Sequence, residues 1–238
     1  MKKLVIIPTY NEINNIDIII NKIINLDLNL DILVVDDNSP DKTYDKVHEL
    51  QKKYKNIFLI INKKKLGIGN AYIKGFEYAI SNNYDKVIQI DADMSHNPYD
   101  INKLLDYSDS YNLVIGSRYI DGIRIINWPL SRLALSYFAN LYAKILTGLK
   151  INDCTGGFKC IDIEVLKSID INNINSQGYS FQIEINYRAH IKKYKVKEVP
   201  IIFTDRTIGK SKMSKKIILE AIFIVPLLRL KNIFNLLK

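Results

Sequence analysis

Hydrophobic positions along this chain follow two rhythms. Short apolar runs rich in Val and Ile lie at residues 4–7, 32–35, 57–61, 87–90 and 113–115, interrupted only by Gln89, and apolar runs of that length read as strands buried on both faces. Between them, apolar residues recur every three or four positions. Ile13, Ile16, Ile20 and Ile23 make one such face, and Tyr44, Val47, Leu50 and Tyr54 another. The second follows Ser39-Pro40, which reads as an N-cap and a first-turn proline. This alternation predicts an α/β fold with a mainly parallel sheet, helices on both sides, and a ligand crevice at the carboxyl ends of the strands.

The residues just after the strands agree with that geometry. They are Pro8-Thr-Tyr-Asn-Glu12, Asp36-Asp-Asn-Ser39, Asp91-Ala-Asp-Met-Ser95 and Gly116-Ser-Arg-Tyr119, so polar and acidic side chains gather where several strand ends point at one site. From Trp128 the pattern changes. Residues 130–149 are largely apolar with Arg132 and Lys144 as their only charges, and residues 217–237 are similar, with Pro226 in the middle and Glu220, Arg229 and Lys231 as charges. Each has about the length of a membrane span, but the charges and the proline favour helices lying at a membrane interface over spans. Packing of both on the sheet is the alternative. The expected division is a catalytic domain over residues 1–213 and an amphipathic helix over 214–238.

Composition narrows the classes. The 238 residues are 47% hydrophobic and 25% charged, which suits a globular chain with a sizeable core. Two cysteines, Cys154 and Cys160, form no disulfide framework or zinc knuckle, so a reduced, cytoplasmic setting is expected. The run at 4–7, closed by Pro8, is too short for the apolar core of a signal peptide. The net charge is +9, and residues 192–238 hold twelve basic against three acidic residues, the whole of that excess. A nucleic-acid module would set such charge among stacking aromatics. Here it leads into an apolar helix, which points away from nucleic acid and toward phosphate and an anionic membrane surface.

Some motifs dissolve on inspection. Gly67-Ile-Gly69 would need a third glycine where Tyr72 stands, and Gly209-Lys210-Ser211 lacks the earlier glycine of a P-loop. His48, His96 and His190 are scattered without metal-ligand spacing, and no serine sits in a nucleophile elbow. What remains is acidic. Asp91 and Asp93, one residue apart on leaving a strand, can converge on a hard cation that a diphosphate completes; the plainer reading is a helix cap or a solvated turn. Asp36-Asp37 ends another strand, where a carboxylate either accepts from a base or ribose or caps the following helix. Arg118, Arg206 and Lys212 are the cations suited to grip phosphates.

These segments resemble the family 2 glycosyltransferases and, within them, the polyprenol (dolichol) phosphate mannose synthases. Lys65-Leu-Gly-Ile-Gly-Asn-Ala-Tyr72, Asp153-Cys-Thr-Gly-Gly-Phe158, Gly178-Tyr-Ser-Phe-Gln-Ile-Glu184, and Val199-Pro-Ile-Ile-Phe-Thr-Asp-Arg206 with Gly209-Lys-Ser-Lys212 extend the likeness in order from Pro8 to about Met213. Lys42 departs from it, standing where the family often has glycine, and Cys154 stands where a small or apolar residue is usual. The resemblance implies a GT-A, Rossmann-like nucleotide-sugar domain. It implies a guanosine held by Pro8, Tyr10, Glu12, Val35 and Asp37, and a diphosphate with Mg²⁺ or Mn²⁺ at Asp91, Ala92 and Asp93, with Ser95 beside the metal. Arg118, Arg206 and Lys212 fall where the donor phosphates are gripped.

The implied reaction moves mannose from GDP-mannose to a polyprenyl (dolichyl) phosphate with inversion, with Asp91, Asp93 and Arg118 at the reacting groups. Arg132 and Ser136 are expected at the acceptor phosphate. The protein is expected to associate peripherally with the cytoplasmic face of a membrane, an arrangement that admits a small transmembrane partner subunit. The rivals are a UDP-glucose-dependent polyprenyl-phosphate glucosyltransferase and a non-catalytic nucleotide-sugar-binding subunit.

Overall fold

The computed structural model describes residues 1–174, 176–206, 215–234, 236 and 237, with the backbone alone at 215–219. All five expected strands form. β1 (Lys3–Thr9), β2 (Leu30–Asp36), β3 (Ile57–Ile61), β4 (Lys86–Gln89) and β5 (Leu113–Ser117) are joined in the main sheet by β7 (Lys159–Asp162) and β8 (Val196–Pro200). The strand order is β3-β2-β1-β4-β7-β5-β8. Every pairing is parallel except those of β7, which runs antiparallel to both β4 and β5. The reversal matters for the site. The other six strands bring their carboxyl ends to one edge, and β7 brings its amino end, so Gly157, Phe158 and Lys159 enter at that same edge.

Alternation along the strands builds two core layers. Leu4 and Ile6 of β1, with Leu33 and Val35 of β2, face one layer; Val5 and Ile7, with Ile32 and Val34, face the other. The second layer is closed by α1 (Ile16–Ile24), α2 (Thr43–Lys53) and α4 (Ile101–Tyr107), and the first by α3 (Ile68–Ser81), α6 (Ile163–Ser168) and α7 (Gly178–Ile191). On α3, a Cβ at Gly75 would stand 2.7 Å from Ile6 Cδ1 and Cγ2, so this helix can approach the sheet only as glycine.

Two local expectations need correction. Ile13 lies in the turn before α1 and is exposed, because the chain first folds back so that Asn15 and Ile16 donate to the Glu12 carbonyl. Ser39-Pro40 does not open α2. The helix starts at Thr43, and Lys42 at its cap adopts φ 60° and ψ 36°. That left-handed conformation is costly for a residue with a Cβ, which explains why glycine suits this position.

The two apolar stretches form α5 (Leu130–Thr147) and α8 (Lys215–Ile233). They pack against each other, Tyr142 Oη donating to the Ile222 carbonyl at 2.8 Å, and α8 also packs on α7. Ala143, Val225 and Leu228 point into the core. Phe138, Leu141 and Ile145 of α5 remain exposed, as do Phe223, Leu230 and Ile233 of α8. Among its described side chains α8 thus carries apolar residues outward as well as inward. Among the described residues no helix is long and apolar enough to cross a membrane. The expected boundary at 213/214 lies outside the described residues.

Candidate active site

A cleft of about 420 Å³ opens at the carboxyl edge of the sheet, within the usual range for a small-molecule site. The turns after β1, β2, β4 and β5 supply its walls, through Pro8, Tyr10 and Glu12, through Asp37, through Asp91, Ala92 and Asp93, and through Arg118. Arg132 and Arg206 reach it from later in the chain. Val35, Ser95 and Ser136 do not line it. Val35 is paired opposite Pro8 with its side chain in the core. Ser95 is buried and donates its backbone N–H to Asp93 Oδ1 at 3.0 Å. Ser136 accepts from Tyr119 Oη at 2.8 Å. Lys212 lies outside the described residues.

The acidic pair after β2 divides its work. Asp36 is fully buried and accepts from Thr9 Oγ1 at 2.7 Å and from the Ser39 N–H and hydroxyl at 2.7 and 2.6 Å, fixing the turn. Asp37 accepts from the N–H groups of Leu66 and Gly67 at 3.0 and 2.7 Å, and from Asn62 Nδ2 at 2.6 Å. It therefore organises the loop ahead of α3. Gly67 has φ 95° there, a conformation open to glycine. The same loop places Lys65 Nζ 3.8 Å from the centre of the Tyr10 ring, a cation–π contact on the cleft wall.

Asp91 and Asp93 lie on the cleft wall just beyond β4. Tyr72 Oη donates to Asp91 Oδ1 at 3.3 Å, and Arg206 Nη2 is 2.7 Å from Asp93 Oδ2. A small second sheet brings Arg206 there: β6 (Ile125–Ile126) pairs with β9 (Phe203–Thr204), and Thr204 N–H donates to the Ser95 carbonyl at 3.1 Å. No group of three or more His, Cys, Asp or Glu able to hold a metal occurs among the described residues. Two carboxylates at a cleft wall beside an arginine fit a divalent ion whose remaining ligands would be diphosphate oxygens and water.

Arg118 is buried and tightly held. Its N–H and Nε donate to Asp153 Oδ2 at 3.0 and 2.7 Å, and Nη2 donates to Asp153 Oδ1 and Thr155 Oγ1, both at 2.7 Å. Burial works against both charges. For Asp153 the charge and hydrogen bonds of Arg118 outweigh it and hold the carboxyl below its ordinary value; for Arg118 the Asp153 carboxylate likewise wins and raises the guanidinium. Arginine has five N–H donors, and the two on Nη1 have no protein acceptor among the described residues, so they are available to a ligand.

Several groups on these walls escaped sequence reasoning. His96, dismissed by spacing, is buried between Phe158 and Phe203, with ring centroids 5.3 and 5.1 Å away. Burial pulls its pKa down to about 4 against the opposing charge of Asp93, so the ring is neutral at pH 7. Arg132, which the sequence did single out, lies 4.1 Å from the Trp128 ring centre, and its Nη1 is 2.9 Å from both oxygens of Asp205, a partner the sequence did not suggest. Lys65, Asp153, Thr155, Gly157, Tyr179 and Gln182 carried a signal as members of recognisable segments, without assigned roles.

A model of the family described as Glycosyl transferase family 2 matches residues 4–170. The polyprenol monophosphomannose synthase of Mycolicibacterium smegmatis is 42% identical over 224 residues, covering 93% of this chain and 84% of the relative. The undecaprenyl-phosphate mannosyltransferase of Micrococcus luteus is 38% identical over 222 residues, covering 93% and 91%. Among solved structures, glucosyl-3-phosphoglycerate synthase from Mycobacterium tuberculosis, in complex with Mn²⁺, UDP and glucosyl-3-phosphoglycerate, matches with a TM-score of 0.68 at 16% identity. That match covers 97% of this chain and 79% of the other, and it bears out the GT-A fold. With the family model and both relatives spanning most of its length, the chain belongs to the glycosyl transferase family 2.

Proposed function

We propose that the protein transfers mannose from GDP-mannose to the phosphate of a polyprenol, inverting the anomeric centre, at the cytoplasmic face of a membrane. The observation that carries this reading is one continuous arrangement. The acidic turn Asp91-Ala92-Asp93 shares the cleft with Arg118 and Arg206, and α5 starts at that cleft with Arg132 and continues as an exposed apolar face. A charged site beside an apolar surface suits an acceptor with a phosphate head and a lipid tail. The two relatives named for mannosyl transfer to such lipids support the same choice.

Asp91 and Asp93 would hold Mg²⁺ or Mn²⁺, which supplies charge neutralisation for the departing diphosphate. The chain's own residues do the rest. Pro8, Tyr10, Glu12 and Asp37 bound the nucleoside end of the cleft. Arg206 and the Nη1 donors of Arg118 stabilise the nucleoside diphosphate as it leaves. The acceptor phosphate has a second pKa of about 6, so at neutral pH it is largely dianionic and already nucleophilic. Alignment, rather than proton abstraction, is what the enzyme supplies, in keeping with a buried, neutral His96. Arg132 and Trp128 face the incoming phosphate, with Ser136 one turn further along α5.

The test is metal-dependent nucleotide binding. GDP binding by calorimetry should require Mg²⁺ or Mn²⁺ and weaken at least tenfold in Asp93→Asn, with transfer lost; unchanged, metal-independent binding in that variant would overturn the assignment of the acidic turn.

A further inference from the structure

Behind the cleft, on the reversed strand β7, lies a lysine that the proposed reaction does not use. Lys159 is fully buried, and its Nζ donates to the Gln182 main-chain carbonyl at 3.2 Å and to Gln182 Oε1 at 2.7 Å. Burial lowers this ammonium to about 7, with Asp153 opposing. At pH 7 and below, the ammonium is therefore about half or more of the population, and a protonated lysine has donors and no acceptor. The bond at 2.7 Å therefore fixes the amide, with Oε1 toward the lysine and the NH₂ group turned away from it.

The NH₂ group is turned toward the cleft, which Gln182 lines. A Cβ built on Gly157 would stand 3.4 Å from Gln182 Nε2 and 3.9 Å from Asp91 Oδ2. The amide nitrogen and the Asp91 carboxylate thus flank Gly157 at the cleft wall, and Nε2 has no protein acceptor among the described residues. Gly157 has no positive φ, and its added Cβ would meet protein only at ordinary contact distance. Neither the backbone nor the protein's packing demands glycine here, so the space lies on the ligand side.

We infer that Gln182 is a binding residue for a phosphate oxygen in this cleft, and that Lys159 is the positioning residue that aims its amide. A cation hydrogen-bonded to the amide oxygen polarises the group and strengthens its N–H as a donor. A positive potential then faces the cleft without a second cation entering it, which favours an anionic oxygen over a sugar hydroxyl. This inference rests on the proposed function. That function puts two phosphate sources in the cleft, the donor diphosphate and the acceptor monoester, and both offer the same oxygen chemistry.

The experiment separates the two sources. With the full chain and Mn²⁺, calorimetric GDP affinity reads the donor phosphates, and the apparent KM for a polyprenyl phosphate at saturating GDP-mannose reads the acceptor. Gln182→Leu, similar in volume, should weaken one arm by about tenfold or more, as expected for a hydrogen bond to a charged group; the affected arm identifies the phosphate. Lys159→Met keeps the amide but not its aim, and should weaken the same arm by less. The double variant should be no worse than Gln182→Leu, because the lysine acts through the glutamine. Gly157→Ala, which puts a methyl beside Nε2, should weaken that arm independently.

A merely structural lysine would instead lower Tm and damage both arms together, and that result would overturn the positioning role. If the wild-type protein binds GDP and transfers mannose, while Gln182→Leu and Gly157→Ala leave both arms unchanged, the inference falls and the functional reading stands. If the wild-type protein does neither, both fall.

Discussion

Asp153→Asn isolates the charge that holds Arg118 in the cleft. The substitution keeps the shape of the side chain but leaves a guanidinium that is only 4% exposed without its counter-ion, in place of the paired contacts at 2.7 Å. Breaking a buried ion pair on one side costs about 3–5 kcal/mol. For a chain of this size each kcal/mol lowers Tm by about 2–4 °C, so a fall of about 6–20 °C is expected by calorimetry or circular dichroism. The pH dependence has a definite sign. The carboxyl of Asp153 lies below its ordinary value when folded, so its contribution is present above the unfolded pKa of about 4 and is lost as pH falls through the folded value. The gap between wild type and variant should therefore narrow below about pH 4. Metal-bound GDP should restore more stability to the variant than to the wild type, because its phosphates supply the missing anion near Arg118. An unchanged Tm at pH 7, or equal stabilisation of both proteins by the nucleotide, would refute the argument.

Other consequences are open to measurement. Lys42→Gly relieves a left-handed cap that costs about 1–2 kcal/mol, against about 0.5–1 kcal/mol of extra chain entropy lost on folding; urea titration should show a neutral or slightly stabilised protein, and a clear loss would contradict the strain assigned to φ 60°. Arg132→Ala should raise the apparent KM for the lipid acceptor severalfold while GDP affinity holds, and equal loss of both would remove Arg132 from the acceptor site. Paired Phe138→Glu and Ile145→Glu substitutions on the exposed face of α5 should reduce retention on anionic vesicles at low salt without lowering Tm; unchanged retention would rule that face out as the membrane contact.

The sheet was legible because buried strands announce themselves by continuous Val and Ile runs, and the cleft because polar residues follow those runs. Residues 57–61 matched β3 without adjustment. What escaped was set by distant pairing. Nothing local in Lys159-Cys-Ile-Asp162 says that it inserts antiparallel between β4 and β5, yet that insertion carries Gly157 and Lys159 to the site. Spacing spoke only to metal binding by His96; its place on the cleft wall depends on Phe158 and Phe203, which are remote in sequence. Arg118 was expected at the donor phosphates, but its ion pair with Asp153 depends on a contact thirty-five residues away. The Ser39-Pro40 cap failed because Asp36 claims the Ser39 hydroxyl and N–H for the preceding turn.

The most direct test of the account is donor choice in a defined transfer assay. The purified protein is incubated with Mn²⁺, a polyprenyl phosphate in vesicles, and either GDP-mannose or UDP-glucose, and lipid-linked sugar is measured. The account predicts mannolipid from GDP-mannose, dependent on the metal and lost in Asp93→Asn. Glucolipid from UDP-glucose instead, or no product from either donor while nucleotide still binds, would contradict it.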